Sequence, residues 1–268
     1  MAILLLTLTG VLWSSGGLLI KLIPWSPVSI AGIRSGISAI IIYFYSKPDN
    51  KNFGRNVWAG ALCYSLMVIC FVFANKITSS GNVILIQYAA PIYVALFGFY
   101  FLGEKATKID WLAIVIILFG LSCFFYEDLT FEKRWGNILA VFSGLGFAGL
   151  TLFMRKEKNA KPIDCVLLGN IITFIVCIPF YYNGTTQGIM PWVIVIFLGF
   201  VQLGLAYILF STAIKYVRAL DAIIYPVIEP LLNPMLTFLF LGEQMSQIAL
   251  IGGALVIIGV IGRGILQI

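Results

Sequence analysis

Residues 213–248 read AIKYVRALDAIIYPVIEPLLNPMLTFLFLGEQMSQI, and residues 74–109 read ANKITSSGNVILIQYAAPIYVALFGFYFLGEKATKI. Laid over each other at an offset of 139 residues, they share Ala74 with Ala213, Lys76 with Lys215, Pro91 with Pro230 and Ile109 with Ile248. Phe101-Leu102-Gly103-Glu104 also falls on Phe240-Leu241-Gly242-Glu243. Both segments are long apolar runs that close on the same four residues, so the chain carries a tandem duplication. Its earlier parts match more loosely: GVLWSSGGLLIKL (10–22) lies on GLGFAGLTLFMRK (144–156), with Trp13 over Phe147 and Lys21 over Arg155. The halves meet near YEDLTFEKRW, 126–135, which divides the chain into expected units of 1–128 and 134–268.

Composition says what has been duplicated. Of 268 residues, 61% are hydrophobic and 10% charged, and the mean hydropathy is +1.03. A soluble domain of this size would have no polar surface left to face water. The reading is an all-α integral membrane protein. Runs of about 20 apolar residues, enough to cross ~30 Å of hydrocarbon as helix, fall near 2–23, 27–46, 56–75, 80–102, 108–126, 136–154, 163–182, 190–214, 220–241 and 247–266. The first follows Met1 without a basic segment or a cleavage site, so it reads as a retained signal anchor. Each repeat holds five runs, an odd number, so the second repeat is expected to cross the membrane upside down relative to the first. Inverted repeats of this kind build many secondary transporters, with a site near the midplane between the halves. Duplication for purely structural reasons is the alternative.

Basic residues set the expected orientation. With the N-terminus inside, twelve face the cytoplasm (Lys47, Lys51, Arg55, Lys105, Lys108, Arg155, Lys156, Lys158, Lys161, Lys215, Arg218 and Arg263) against four outside (Lys21, Lys76, Lys133 and Arg134). The positive-inside bias favours both termini in the cytoplasm. The net charge of +6 is accounted for by this topology and by anionic lipid headgroups. Scattered over short loops, it gives no footprint for nucleic acid.

The chemistry available is narrow. There is no histidine, which removes the commonest metal ligand and the usual proton shuttle at neutral pH; proton chemistry has to use carboxylates. The five cysteines, Cys63, Cys70, Cys123, Cys165 and Cys177, lie within apolar runs without a CxxC and read as small reduced core residues. No metal and no cofactor is expected. An enzyme would need a reactive constellation, and none appears; nor does a phosphate-binding GxxxxGK loop.

Two charges lie inside the runs. Glu229 sits eight residues into the ninth, about 12 Å deep at 1.5 Å per residue, where a charge costs roughly 2.5–3.5 kcal/mol on insertion scales. Around it Pro226, Pro230 and Pro234 leave the carbonyls of Ala222, Pro226 and Pro230 without helical donors. That stripe must therefore face protein, water or substrate. Tyr225, Glu229 and Asn233 repeat at i, i+4, i+8 and are expected to point the same way. Because Glu229 falls on Ala90 in the duplication, the acid breaks the repeat. It either lines a cavity, binding a substrate ammonium or a coupling proton, or caps the free carbonyls. Arg34 lies about 10 Å deep in the second run, entering from outside, as a snorkelling or fixed post or as the partner of a substrate carboxylate. Counted across a ~30 Å core, the two charges are about 8 Å apart in depth, a gap that an amino acid and two long side chains bridge. Trp13, Ser14, Ser15, Tyr64, Gln87, Tyr88, Tyr93, Phe147, Gln202 and Tyr207 lie at mid-run levels and complete the candidate substrate-binding set. Aromatic faces with a few amides suit organic cations or apolar amino-acid side chains. Glycines at 16, 17, 144, 146, 149, 252, 253 and 259 form small-residue stripes for close helix packing. In each FLGE, glycine ends a helix and glutamate is expected to face the headgroups.

These residues resemble the drug/metabolite transporter superfamily and its ten-helix EamA branch. The likeness rests on the P…FLGE segments at 91–104 and 230–243, IEP at 228–230, the GVLWSSGG opening and the arginine of AGIRSGISA, and it covers essentially the whole chain in two copies. The resemblance implies an N-in, C-in carrier, a monomer or homodimer, with a central cavity lined mainly by helices 1, 3, 4, 6, 8 and 9. For substrate it leaves amino acids, other small metabolites and drugs open. The chain departs from the similar four-helix multidrug exporters, whose first helix carries an essential glutamate; here no acid precedes Asp49.

Overall fold

The computed structural model describes residues 1–47, 53–126, 134–183, 188–232 and 247–266. All regular elements among them are helical. The first run is split into α1 (Ala2–Trp13) and α2 (Gly16–Leu22); the next two are single helices, α3 (Pro27–Ser46) and α4 (Arg55–Ile77). The fourth is split into α5 (Ser80–Gln87) and α6 (Ala90–Leu102), followed by α7 (Lys108–Phe124), α8 (Arg134–Lys156) and α9 (Ile163–Cys177). The eighth comprises α10 (Ile189–Phe197), a π-helical stretch (Leu198–Leu205) and α11 (Ala206–Ala213). The ninth begins with α12 (Ala219–Ile224), passes through a 3-10 turn at Tyr225–Val227 and is helical again over 228–232; α13 (Gln247–Leu266) is the tenth.

Eight helical segments among the described residues are long and apolar enough to cross a membrane. The 17 residues of α7, about 26 Å at 1.5 Å per residue, fall just short of a ~30 Å hydrocarbon core. The rest of the ninth run, with Asn233, Pro234 and the second FLGE, lies outside the described residues. Local chemistry sets the helix ends. Ser26 caps α3, accepting from Ser29 N at 3.2 Å, with Pro27 next; Ser79 caps α5; Thr107 and Asp110 form a capping box on α7. Gly103 ends α6 at φ 72°, a left-handed conformation that costs glycine nothing.

The splits in the fourth and ninth runs follow from proline. Pro91 and Pro230 cannot donate to the carbonyls of Gln87 and Pro226, and these are the same position in the duplication, 139 residues apart. Each carbonyl is covered by a glycine from the other repeat. A Cβ at Gly144 would lie 3.1 Å from the Gln87 oxygen, and one at Gly10 would lie 2.6 Å from the Pro226 oxygen. Gly10 and Gly144 are themselves aligned, so the small residues and the prolines solve one packing problem twice.

The helices pack with α4 along α8 and α9, α3 along α9 and the π stretch, α1 along α11, and α7 along α13. The last pair is held backbone to backbone: a Cβ at Gly252 would be 2.5 Å from the Gly120 oxygen. Large apolar side chains such as Phe44, Phe119 and Ile251 point outward, as they do where the solvent is lipid.

Candidate functional site

A small cavity of about 40 Å3 lies where these helices meet. It is lined by Trp13 at the end of α1, Arg34 of α3, Met67, Val68 and Phe71 of α4, and Gln87 at the end of α5. Phe147 of α8, Gln202 and Leu203 of the π stretch, Tyr207 of α11 and Glu229 complete the wall. Its volume is room for about three waters.

Lining residues cluster at the interruptions of these segments. Trp13 precedes the break at Ser14–Ser15, Gln87 the break at Tyr88–Ala89, Gln202 lies in the π stretch, and Glu229 follows the 3-10 turn. Irregular backbone at membrane depth is tolerated where it lines a cavity or is buried in protein.

Glu229 is 7% exposed, and Tyr88 Oη donates to its Oε2 at 2.8 Å. The same hydroxyl is 3.0 Å from the Pro226 carbonyl oxygen, the acceptor that Pro230 deprives of a helical donor. Arg34 is 1% exposed. Its Nη1 donates to Gln202 Oε1 at 3.2 Å, while Nε is buried without a partner. Gln87 Nε2 donates to Ser143 Oγ at 2.8 Å. Trp13 stands at the centre of an aromatic wall, with ring centroids 5.6 Å from Phe147, 5.1 Å from Tyr207 and 5.5 Å from Phe210.

Of the candidates read from sequence, Trp13, Arg34, Gln87, Phe147, Gln202, Tyr207 and Glu229 meet at this cavity. The others take different places. Ser14 and Ser15 turn back to the carbonyls of Val11 and Leu12, which closes the frayed end of α1. Tyr64 stands behind Tyr207, 5.2 Å away, and bonds Asn170 Oδ1 at 3.0 Å. Tyr88 reaches Glu229 without lining the cavity, and Tyr93 is not among the lining residues either. Tyr225 does not share the face of Glu229. The 3-10 turn between them advances three residues per turn, so the i, i+4 register fails, and the phenol comes within 3.7 Å of a Cβ built at Gly264 of α13. Asn233 lies outside the described residues. Met67, Val68, Phe71 and Leu203 were not anticipated; apolar residues in an apolar helix give no signal of their orientation.

A second arrangement closes one end of the bundle. The expectation that Glu104 faces the headgroups is not met. Because Gly103 turns the chain back over the helix end, the carboxylate accepts Arg155 Nε at 2.8 Å and the Ala219 N–H at 2.7 Å. Arg155 also donates to the carbonyls of Ile214 and Lys215. Alongside, Arg263 is buried between Asp110 Oδ1, with Nε at 2.8 Å, and Asp221 Oδ1, with Nη2 at 2.6 Å. Arg218 bonds the same two carboxylates. Burial would lower the Arg218 pKa, but Asp221 and Asp110 outweigh it and hold the guanidinium above its ordinary range. Among the described residues no group of His, Cys, Asp and Glu could hold a metal ion.

The model of the EamA-like transporter family matches residues 1–126 and 134–263. The chain belongs to that family. An EamA-like transporter of this kind is a multi-pass membrane protein and not an enzyme. It is 22% identical over 243 residues to the pseudopaline exporter CntI of Pseudomonas aeruginosa, covering 87% of this chain and 84% of that one. To the threonine/homoserine exporter RhtA of Salmonella typhimurium it is 22% identical over 237 residues, covering 83% and 76%. A solved crystal structure superposes with a TM-score of 0.80 at 17% identity, over 99% of this chain and 96% of that one, which establishes a shared fold.

Proposed function

We propose that this EamA-like transporter exports small zwitterionic metabolites, amino acids foremost, by alternating access across the cytoplasmic membrane of a bacterium. The observation that carries the reading is that Arg34 and Glu229 line one cavity while each is bonded elsewhere, to Gln202 and Tyr88, rather than to the other. A ligand carboxylate at Arg34 and an ammonium at Glu229 would neutralise two charges that are expensive in a low-dielectric interior. Two exporters among its relatives, named for threonine/homoserine and for pseudopaline, support export as the direction.

The architecture in this reading is ten spans in two inverted units, 1–128 and 134–268, with both termini in the cytoplasm. Packing supports it, because contacts come in pairs related by exchange of the repeats. The third run packs on the sixth as the eighth does on the first, the third on the seventh as the eighth on the second, and the fourth on the sixth as the ninth on the first. The charged end at Glu104, Arg155 and Arg263 is then the cytoplasmic one, and the small cavity widens as the halves move.

Glu229, the one carboxylate among the described lining residues, carries the coupling proton. Tyr88 has a single phenolic proton and two acceptors in reach. With Glu229 ionised the phenol donates to it; with Glu229 protonated the carboxyl donates to the phenol, which turns to the Pro226 carbonyl. Protonation thereby alters the hydrogen bonding of the broken ninth run itself.

A second reading, an exporter of organic amines or drugs, is favoured by the wall of Trp13, Phe147 and Tyr207 around that carboxylate, a setting that suits a cation. The test is thermal unfolding of the purified protein against amino acids, polyamines and quaternary amines, since a ligand bound by the native state alone raises its stability. Stabilisation by zwitterionic amino acids, lost in Arg34→Ala and in Glu229→Gln, is the expected result. Stabilisation by cations alone would transfer the assignment to the second reading.

A further inference from the structure

Arg34 is held at more than one point, and both contacts come from the π stretch. Gly199 lies against its backbone, where a Cβ would approach the Arg34 carbonyl oxygen to 2.7 Å. Gln202, three residues further along, accepts from Nη1 at 3.2 Å. The π turn, wider by one residue than an α turn, lets both residues face α3. Gln202 is in turn lodged beneath Gly16, at the start of α2, where a Cβ would stand 2.7 Å from its Nε2. The break in the first run, the π stretch of the eighth and the arginine of the second therefore converge on one amide.

The choice of an amide has a consequence for charge. A glutamate at 202 would place a carboxylate on Arg34 and cancel it. The neutral amide orients the guanidinium through Oε1 and leaves its charge uncompensated. A donor is left over as well: Arg34 Nε is buried without an acceptor. Buried donors lacking an acceptor are costly, and a planar carboxylate matches the fork of a guanidinium.

We propose that Gln202 is the specificity-determining partner of Arg34. It fixes the guanidinium and offers Nε2 to the same ligand carboxylate, so that the pair selects substrates bearing a carboxylate over amines that lack one. This rests on the zwitterion reading above.

The experiment takes the amino acid that most raises the unfolding temperature of the wild-type protein, and its amino alcohol, in which –CH2OH replaces the carboxylate. Each is titrated calorimetrically into wild type, Gln202→Glu and Gly16→Ala. Wild type is expected to bind the amino acid at least about tenfold more tightly than the alcohol. In Gln202→Glu, nearly isosteric and able to pair with Arg34, the amino acid weakens by about tenfold or more while the alcohol holds within about twofold, which erases the preference. Gly16→Ala, which displaces the amide without touching Arg34, reduces the preference in the same direction and decides the question if Gln202→Glu does not fold. A preference unchanged in the variants overturns the role of Gln202 and leaves the zwitterion reading standing. A wild type that no amino acid stabilises, or that prefers the alcohol, overturns both.

Discussion

Asp110→Asn tests how the charged end of the bundle is held. The Asp110 side chain is wholly buried and Arg263 is 1% exposed. The carboxylate receives Arg263 Nε at 2.8 Å, Arg218 Nη2 and Nη1 at 3.2 and 3.3 Å, and the Thr107 N–H at 2.7 Å. Asparagine keeps the shape but removes the charge and turns one acceptor into a donor facing donors, leaving Asp221 between two guanidiniums. Removing one partner of a buried ion pair costs about 3–5 kcal/mol. At about 2–4 °C per kcal/mol for a chain approaching this size, the unfolding temperature in detergent falls by roughly 6–20 °C. Tryptophan fluorescence during a thermal ramp reads it. Arg263→Gln alone costs a comparable amount, but the double variant restores the balance of charge and costs less than the sum, by about 1–3 kcal/mol in a double-mutant cycle. Because the groups are buried, added salt changes little. A drop below about 2 °C for Asp110→Asn, or strict additivity in the cycle, would refute the argument that the buried charges depend on one another.

Three further outcomes are expected. Glu229→Gln keeps shape and removes titration, so substrate uptake by vesicles containing it loses its pH dependence; a retained pH profile excludes Glu229 as the proton carrier. Tyr88→Phe removes a hydrogen bond to a charged group, worth about 1.5–3 kcal/mol, and both lowers thermal stability and shifts that pH profile, whereas an unchanged profile reduces Tyr88 to packing. Gly10→Ala, whose Cβ would stand 2.6 Å from the Pro226 oxygen, is more damaging to stability than Gly144→Ala, whose Cβ would stand 3.1 Å from the Gln87 oxygen; equal melting curves would show that the first run does not bear on that carbonyl.

Much of the candidate site was legible because chemistry at membrane depth is scarce. Arg34, Gln87, Gln202 and Glu229 were found by cost alone: a charge or amide in an apolar run needs a partner. Trp13, Phe147 and Tyr207 line the same cavity beside those groups. The misses have one cause. Tyr225 was placed on the face of Glu229 by an α-helical period that the 3-10 turn breaks, and Glu104 was sent to the headgroups because nothing local says that Arg155, 51 residues away, waits behind it.

What the sequence determined by itself was whatever depends on composition and on neighbours along the chain. Membrane class follows from apolarity, helix from the need to satisfy backbone groups without water, and the duplication from aligned residues. The helix end at Gly103 was likewise written locally. Tertiary structure alone decided which side of each helix faces protein. In runs apolar all round, lipid and protein interior are nearly equivalent solvents, so no periodicity marks the inward face. That is why only the packed structure brings Arg34 and Glu229 to one cavity, sets Gln202 on Arg34 and Tyr88 on Glu229, and gathers Asp110, Arg218, Asp221 and Arg263 at one end.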